Sequence, residues 1–336
     1  MKFQECEVKE VHSTLEEEYK TVCEGVGVLK MPWKKVLRLE GVDVADFLDR
    51  MTSNKIMSLK AQEGMHTTLL THNGFLISDM IVLKFENHFL VIVDEMNREV
   101  TLKTFNKYIV ADQVEIFDVS QDWDIFHFQG KNSSHLLKKW VKLEVLKNYN
   151  HVSFHTCHVA KVPRSRFQGF DVLVPKEKTH DVYLEVLREG AEPIGFKVFD
   201  MLRIEAGLSQ YPNEVGEKTI PLELKGFEDA VHYDKQCYTG QETIAKIKYR
   251  GHVNKLVVGF ILEGKQLPNH GDEIFKDDQR VGWITSTAYS LGLQKNIALG
   301  FIKYDWRETQ DKLVIKTETT HISCKRVNLP FLEAHS

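Results

Sequence analysis

An α+β fold followed by a small all-β barrel is the architecture expected of this 336-residue chain, and three features point to it. Amphipathic helix patterns and extended apolar runs intermingle up to about residue 250, which favours α+β layers. From Lys255 onward the helical pattern gives way to short strands at even spacing, as in a barrel. The length exceeds what one ordinary core supports, so two or three domains are expected.

Leu37 to Met51 reads as strand, turn and helix: Asp43 is a candidate cap, and Val44, Phe47, Leu48 and Met51 recur at helical spacing. Met65 to Thr71 and Phe75 to Phe85 read as strands joined around Asn73-Gly74, a strong hairpin signal. Glu86-Asn87 marks a turn before a strand at Phe89 to Val93, and a helix rich in Lys and Glu follows from Asn97 to Tyr108. Strands are expected at Val152 to Ala160 and Gly169 to Val174, with helices at Thr179 to Arg188 and Phe199 to Ala206. The glycines at 190 and 207 stand where these two helices would stop. Six barrel strands follow: LVVGFIL, DEIF, VGWITS, NIALGFI, KLVIKT and HISCKRV.

Composition narrows the function classes. Apolar content of 42% and charged content of 27% fit a globular protein, and a net charge of -4 gives no global attraction to nucleic acid or an anionic membrane. The five cysteines are widely spaced with no CxxC pair, which favours a reducing compartment and speaks against a zinc or redox pair. The charged N-terminus lacks the apolar core of a signal peptide, and no window approaches ~18 apolar residues. A cytoplasmic protein without a membrane partner is expected.

The most informative segment is the octapeptide KQCYTGQE, Lys235 to Glu242. Cys237 stands there among cations, Lys235 before it and Lys246, Lys248 and Arg250 after it, which would favour the nucleophilic thiolate. Gly240 permits a bend that presents Cys237, Gln241 and Glu242. The alternative is a small buried residue beside a turn. A second candidate is Asp79: alternation along FLISDMIVLK puts it in one row with Phe75, Ile77, Ile81 and Leu83. A carboxylate in an apolar row must be paired, hydrogen-bonded, protonated or lining a cavity. His151, His155 and Cys157 would share one face of a strand, a spacing that could hold zinc, but no fourth ligand is evident and no metal is expected. The run Lys246, Lys248, Arg250, His252 and Lys255 is read as a solvated strand face.

The run FDMLRIEAGL from Phe199, then TIPLE from Thr219, then KQCYTGQE resembles the folate-binding aminomethyltransferase superfamily. That superfamily joins the glycine-cleavage T-protein to the YgfZ-type proteins associated with iron–sulfur cluster maintenance, and the octapeptide resembles the YgfZ branch. The resemblance implies a cloverleaf of two interleaved α+β domains, one ferredoxin-like, around a central folate cleft, plus the barrel. The implied division is 1–252, split as 1–55 with 195–252 and 56–194, then 253–336. Asp79 falls on the aspartate that lies near the folate N10 in catalytic relatives, and its apolar setting would move its pKa toward neutrality. Asp171 falls where T-proteins hold the pterin with a glutamate. Phe199 replaces an arginine and would offer a stacking surface. Arg203, Tyr238 and Gln241 complete the implied cofactor contacts, while Lys235, Cys237, Gly240, Gln241 and Glu242 are the motif residues; Gln236 replaces its usual glycine. The implied cofactor is tetrahydrofolate or a one-carbon derivative. Three functions follow: a YgfZ-like protein supporting iron–sulfur clients through Cys237, a tetrahydrofolate-dependent aminomethyltransferase using Asp79, and a non-catalytic folate sensor. A monomer is expected.

Overall fold

The computed structural model describes residues 2–4, 6–141 and 146–334. Two sheets and a barrel organise it. The first sheet is antiparallel and runs in the order Gly64–Leu70, Leu76–Lys84, His88–Asp94, Lys34–Glu40, Glu115–Asp118. Helix Val44–Met51 lays Val44, Phe47, Leu48 and Met51 on one face of it, against Leu37, Leu39, Val82, Val91 and Phe105. Full burial of each such side chain contributes about 1.5–3 kcal/mol, so this stripe is what holds a short helix in place. Asp43 precedes that helix but makes no capping bond; its Oδ2 accepts from the Gln113 backbone N–H at 2.8 Å and ties down the loop before the edge strand instead.

The second sheet runs His151–Phe154, Cys157–Lys161, Gly169–Pro175, Trp123–Gln129, Gly27–Lys30, Glu192–Pro193, with only the last pairing parallel. The single strand expected over 152–160 is a tight hairpin, with His155 left-handed at φ 51° in its turn. His151, His155 and Cys157 therefore do not share a strand face. Among the described residues no group of three His, Cys, Asp or Glu is placed to hold a metal. The sheets also cut across the implied division at residue 55: Lys34–Glu40 pairs with His88–Asp94, and Gly27–Lys30 pairs with Trp123–Gln129. Backbone pairing thus makes residues 27–40 part of both layers.

Helix Phe196–Glu205 packs its buried residues between these layers and the barrel strand Gln279–Ser290. The barrel closes through Lys255–Leu262, Lys295–Lys303, Gln279–Ser290, Glu273–Lys276, Lys312–Lys316 and His321–Val327. Closure leaves no open sheet edge. Residues 241–250, expected to lie extended, form a helix after Gly240, so Lys246, Lys248 and Arg250 do not line one face; Lys246 pairs with Glu242 at 2.7 Å and Lys248 sits over the Tyr233 ring. Among the described residues no helix is long and apolar enough to cross a membrane.

Candidate functional site

A chamber forms where the two sheets, helix Phe196–Glu205 and the 207–227 loop meet. It has a volume of about 80 Å³ and opens outward, so it can seat one end of a larger molecule. Asp79 lines it, and strand register explains the company Asp79 keeps. Thr68 lies directly opposite Asp79, so His66, two residues earlier, shares that face and becomes the diagonal neighbour. His66 Nε2 contacts Asp79 Oδ1 in a short hydrogen bond. The His66 ring is wedged by Phe227 at 5.1 Å and Tyr149 at 5.6 Å, and its Nδ1 is buried without a partner among the described residues. Asp79 retains 23% of its side-chain surface, enough to meet a ligand. Burial pushes its carboxyl up, but His66, Lys34 and Arg164 outweigh that and hold it below the ordinary aspartate value. The expected shift toward neutrality is therefore reversed: three cationic or donor groups converge on one carboxylate.

Phe199 and Arg203 stand one helical turn apart, which brings both to the chamber wall. The Phe199 ring is buried against Trp33 and Phe196 and meets His127 edge-on at 5.9 Å. Arg203 is committed elsewhere: its guanidinium donates to Asp200 Oδ1 (2.8 Å), Glu214 Oε2 (3.0 Å), the Leu208 carbonyl (2.6 Å) and Ser286 Oγ (2.9 Å). It fastens the chamber wall to the barrel and has little donor capacity left for a cofactor.

Asp171 is wholly buried. His127, directly across the strand pair, shares a hydrogen bond with Oδ1 at 2.7 Å, and Arg164 donates to both oxygens, at 3.1 and 2.5 Å. Direct contact between Asp171 and a pterin is thus blocked here by Arg164, which itself lines the chamber. Burial would raise the Asp171 pKa, but Arg164 and His127 dominate and hold it well below the usual carboxylate range. The folded value lies under the unfolded one, so this carboxylate stabilises the fold above the ordinary range, and that contribution is lost as pH falls through it and below. Urea titrations should show Asp171→Asn less stable than the unmodified protein at pH 6, with a smaller decline between about pH 5 and 3; parallel declines would remove Asp171 from the acid response.

The octapeptide lies outside this lining. Cys237 is exposed, and neither it, Tyr238 nor Gln241 borders the chamber. Lys235 does not activate the thiol: its ammonium turns inward to the carbonyls of Asp49, Thr52 (2.9 Å) and Asn54 (2.7 Å), with Asp49 Oδ2 at 3.3 Å. Tyr238 joins a core cluster, Gln241 Nε2 donates to the Lys235 carbonyl at 3.3 Å, and Glu242 stays exposed in its pair with Lys246. Gly240 does have a conformational role. Its φ is +86°, and a Cβ there would lie 2.6 Å from the Thr71 carbonyl. Gly240→Ala should cost at least about 1–2 kcal/mol, read as a lower urea midpoint at unchanged m-value.

Sequence reasoning missed His66, Lys34 and Arg164. Counting across the 71–75 turn could have found His66, since hairpin register places it beside Asp79. Nothing local marks Lys34 or Arg164, which arrive by tertiary folding.

Against known proteins, residues 1–235 match the model of the GCVT N-terminal domain and residues 255–333 that of the glycine cleavage T-protein C-terminal barrel domain. The chain is 28% identical over 315 residues to an aminomethyltransferase of Thermoanaerobacter pseudethanolicus, covering 90% of this chain and 85% of that one. It is 28% identical over 335 residues to an aminomethyltransferase of Halothermothrix orenii, covering 96% and 92%. The structure of the glycine cleavage system aminomethyltransferase T from Bartonella henselae superposes with a TM-score of 0.88 at 17% identity, covering 99% of this chain and 94% of that one. These likenesses overturn the iron–sulfur support role expected from the octapeptide, because the curated relatives are named aminomethyltransferases over nearly the whole chain. The inward-turned ammonium of Lys235 also takes away one of the cations on which that expectation rested.

Proposed function

Because the chain belongs to the glycine cleavage T-protein family, we propose that it is a tetrahydrofolate-dependent aminomethyltransferase with Asp79 as its catalytic carboxylate. One observation carries the reading: Asp79, the only carboxylate lining the chamber among the described residues, is partly open to it and kept ionised by His66, Lys34 and Arg164. Transfer requires a folate amine nitrogen to form a bond to the incoming aminomethyl carbon as that carbon's bond to its donor breaks, the donor leaving with the electron pair. The nitrogen's proton must then leave, and it balances the charge of the departed donor. An ionised carboxylate beside the nitrogen can accept the proton and stabilise the positive charge that precedes its loss. Phe199 supplies an apolar wall for a flat heterocycle, and the small, outward-opening chamber suits one end of the folate, with the remainder in the mouth.

The test is a calorimetric titration with tetrahydrofolate, paired with chromatography for a one-carbon tetrahydrofolate formed from an aminomethyl donor. Binding together with product formation is expected. No heat at millimolar ligand would sink the reading.

A further inference from the structure

We propose that His66 is a positioning residue for the chamber chemistry: its Nε2–H holds Asp79 Oδ1 and leaves Oδ2 as the oxygen offered to a ligand. The inference rests on the reading of Asp79 as the working carboxylate, and it adds a residue outside every motif in the sequence. Geometry carries it. Among the described residues the only side-chain hydrogen bond to the Asp79 carboxylate comes from His66, and it goes to Oδ1. His66 cannot easily turn away, because it is buried between Phe227 and Tyr149. Its Nδ1 is buried and has no partner among the described residues, so Nε2 is the nitrogen whose proton is used.

A carboxylate in an open chamber would otherwise sample several rotamers. Pinning one oxygen removes that freedom before the ligand arrives, which is the usual way a positioned base gains rate. The pair also sets the pH range over which Asp79 is available. Asp79 is faced by His66 from strand Gly64–Leu70, by Lys34 from Lys34–Glu40 and by Arg164 from the segment before Gly169–Pro175. The hydroxyls of Tyr149 and Tyr211 feel its charge; Asp94, held by Lys34 and Gln4, and Asp229 and Glu228, beside Tyr149, are the nearby anions. Without His66, two cations remain, but the hydrogen bond and the fixed orientation are gone.

The experiment follows the Asp79 carboxyl by carbon-13 NMR in the free protein, for the unmodified chain and for His66→Leu and His66→Gln, with Asp79→Asn used to assign the signal. In His66→Leu the midpoint should rise by ~1–3 pH units, because an interaction favouring the charged form is lost. In His66→Gln, whose amide can still donate, it should rise less. In transfer assays His66→Leu should lose ~10- to 100-fold in kcat with KM changed only a few-fold, and the acid limb of its pH profile should move upward. Gln should recover part of both. A merely structural histidine would lower stability without moving the carboxyl titration, so coincident midpoints in all three proteins overturn the proposal. Should Leu not fold, the Gln comparison still decides. An unmodified protein with a normal titration but no transfer would overturn the functional reading alone.

Discussion

Asp79→Asn is expected to reduce transfer to tetrahydrofolate by ~10²- to 10⁴-fold, the range lost with a general base, while ligand affinity stays within a few-fold. The substitution is nearly isosteric, and the asparagine carbonyl can still accept from His66 Nε2–H, so the geometry of the pair survives. What disappears is the charge proposed to take up the folate proton. Lys34 keeps its partner Asp94 at 3.0 Å and Arg164 keeps Asp171, so neither cation is stranded and stability should move little. Single-turnover measurements separate the two roles: a loss confined to the chemical step supports a catalytic Asp79, and an equal loss in binding would make it a ligand anchor. Because His66, Lys34 and Arg164 depress its pKa, the unmodified protein should hold its transfer rate through neutrality and lose it only on acidification below the ordinary aspartate range.

The parts of this molecule that could be read from sequence are those whose physics is local. All six barrel strands were legible because each carries its own apolar run and turn signals. Asp79 was legible because a charge in an apolar row breaks the local pattern. Strand Trp123–Gln129, central to the second sheet, was not, because Asp124, His127 and Gln129 place polar atoms on buried positions. Two of these are tolerated through distant partners: Lys30, Lys176 and Thr179 for Asp124, and Asp171 for His127. The same non-locality hid the chamber's cations. It also misdirected the octapeptide, where sequence adjacency of Lys235 and Cys237 suggested an electrostatic partnership that the backbone turns in opposite directions.

Lys235→Met is expected to cost about 3–5 kcal/mol, more than any single contact in the octapeptide would suggest. The Lys235 side chain is fully buried, and burial lowers its pKa. It stays compatible with the interior because its ammonium gathers three carbonyls at and just beyond the end of helix Val44–Met51, and the Asp49 carboxylate compensates its charge. A cation at that end also complements the helix dipole. Methionine matches the length but donates nothing, leaving three inward-facing carbonyls and the buried Asp49 carboxylate without their cation. Asp49 retains only the Met57 backbone N–H, at 3.0 Å, among its described partners. The loss should appear in urea or thermal unfolding and should be matched only in part by Lys235→Arg, whose planar fork cannot reproduce a three-donor point charge. Full stability in the methionine variant would show that water can replace the ammonium, and would return the octapeptide to the surface.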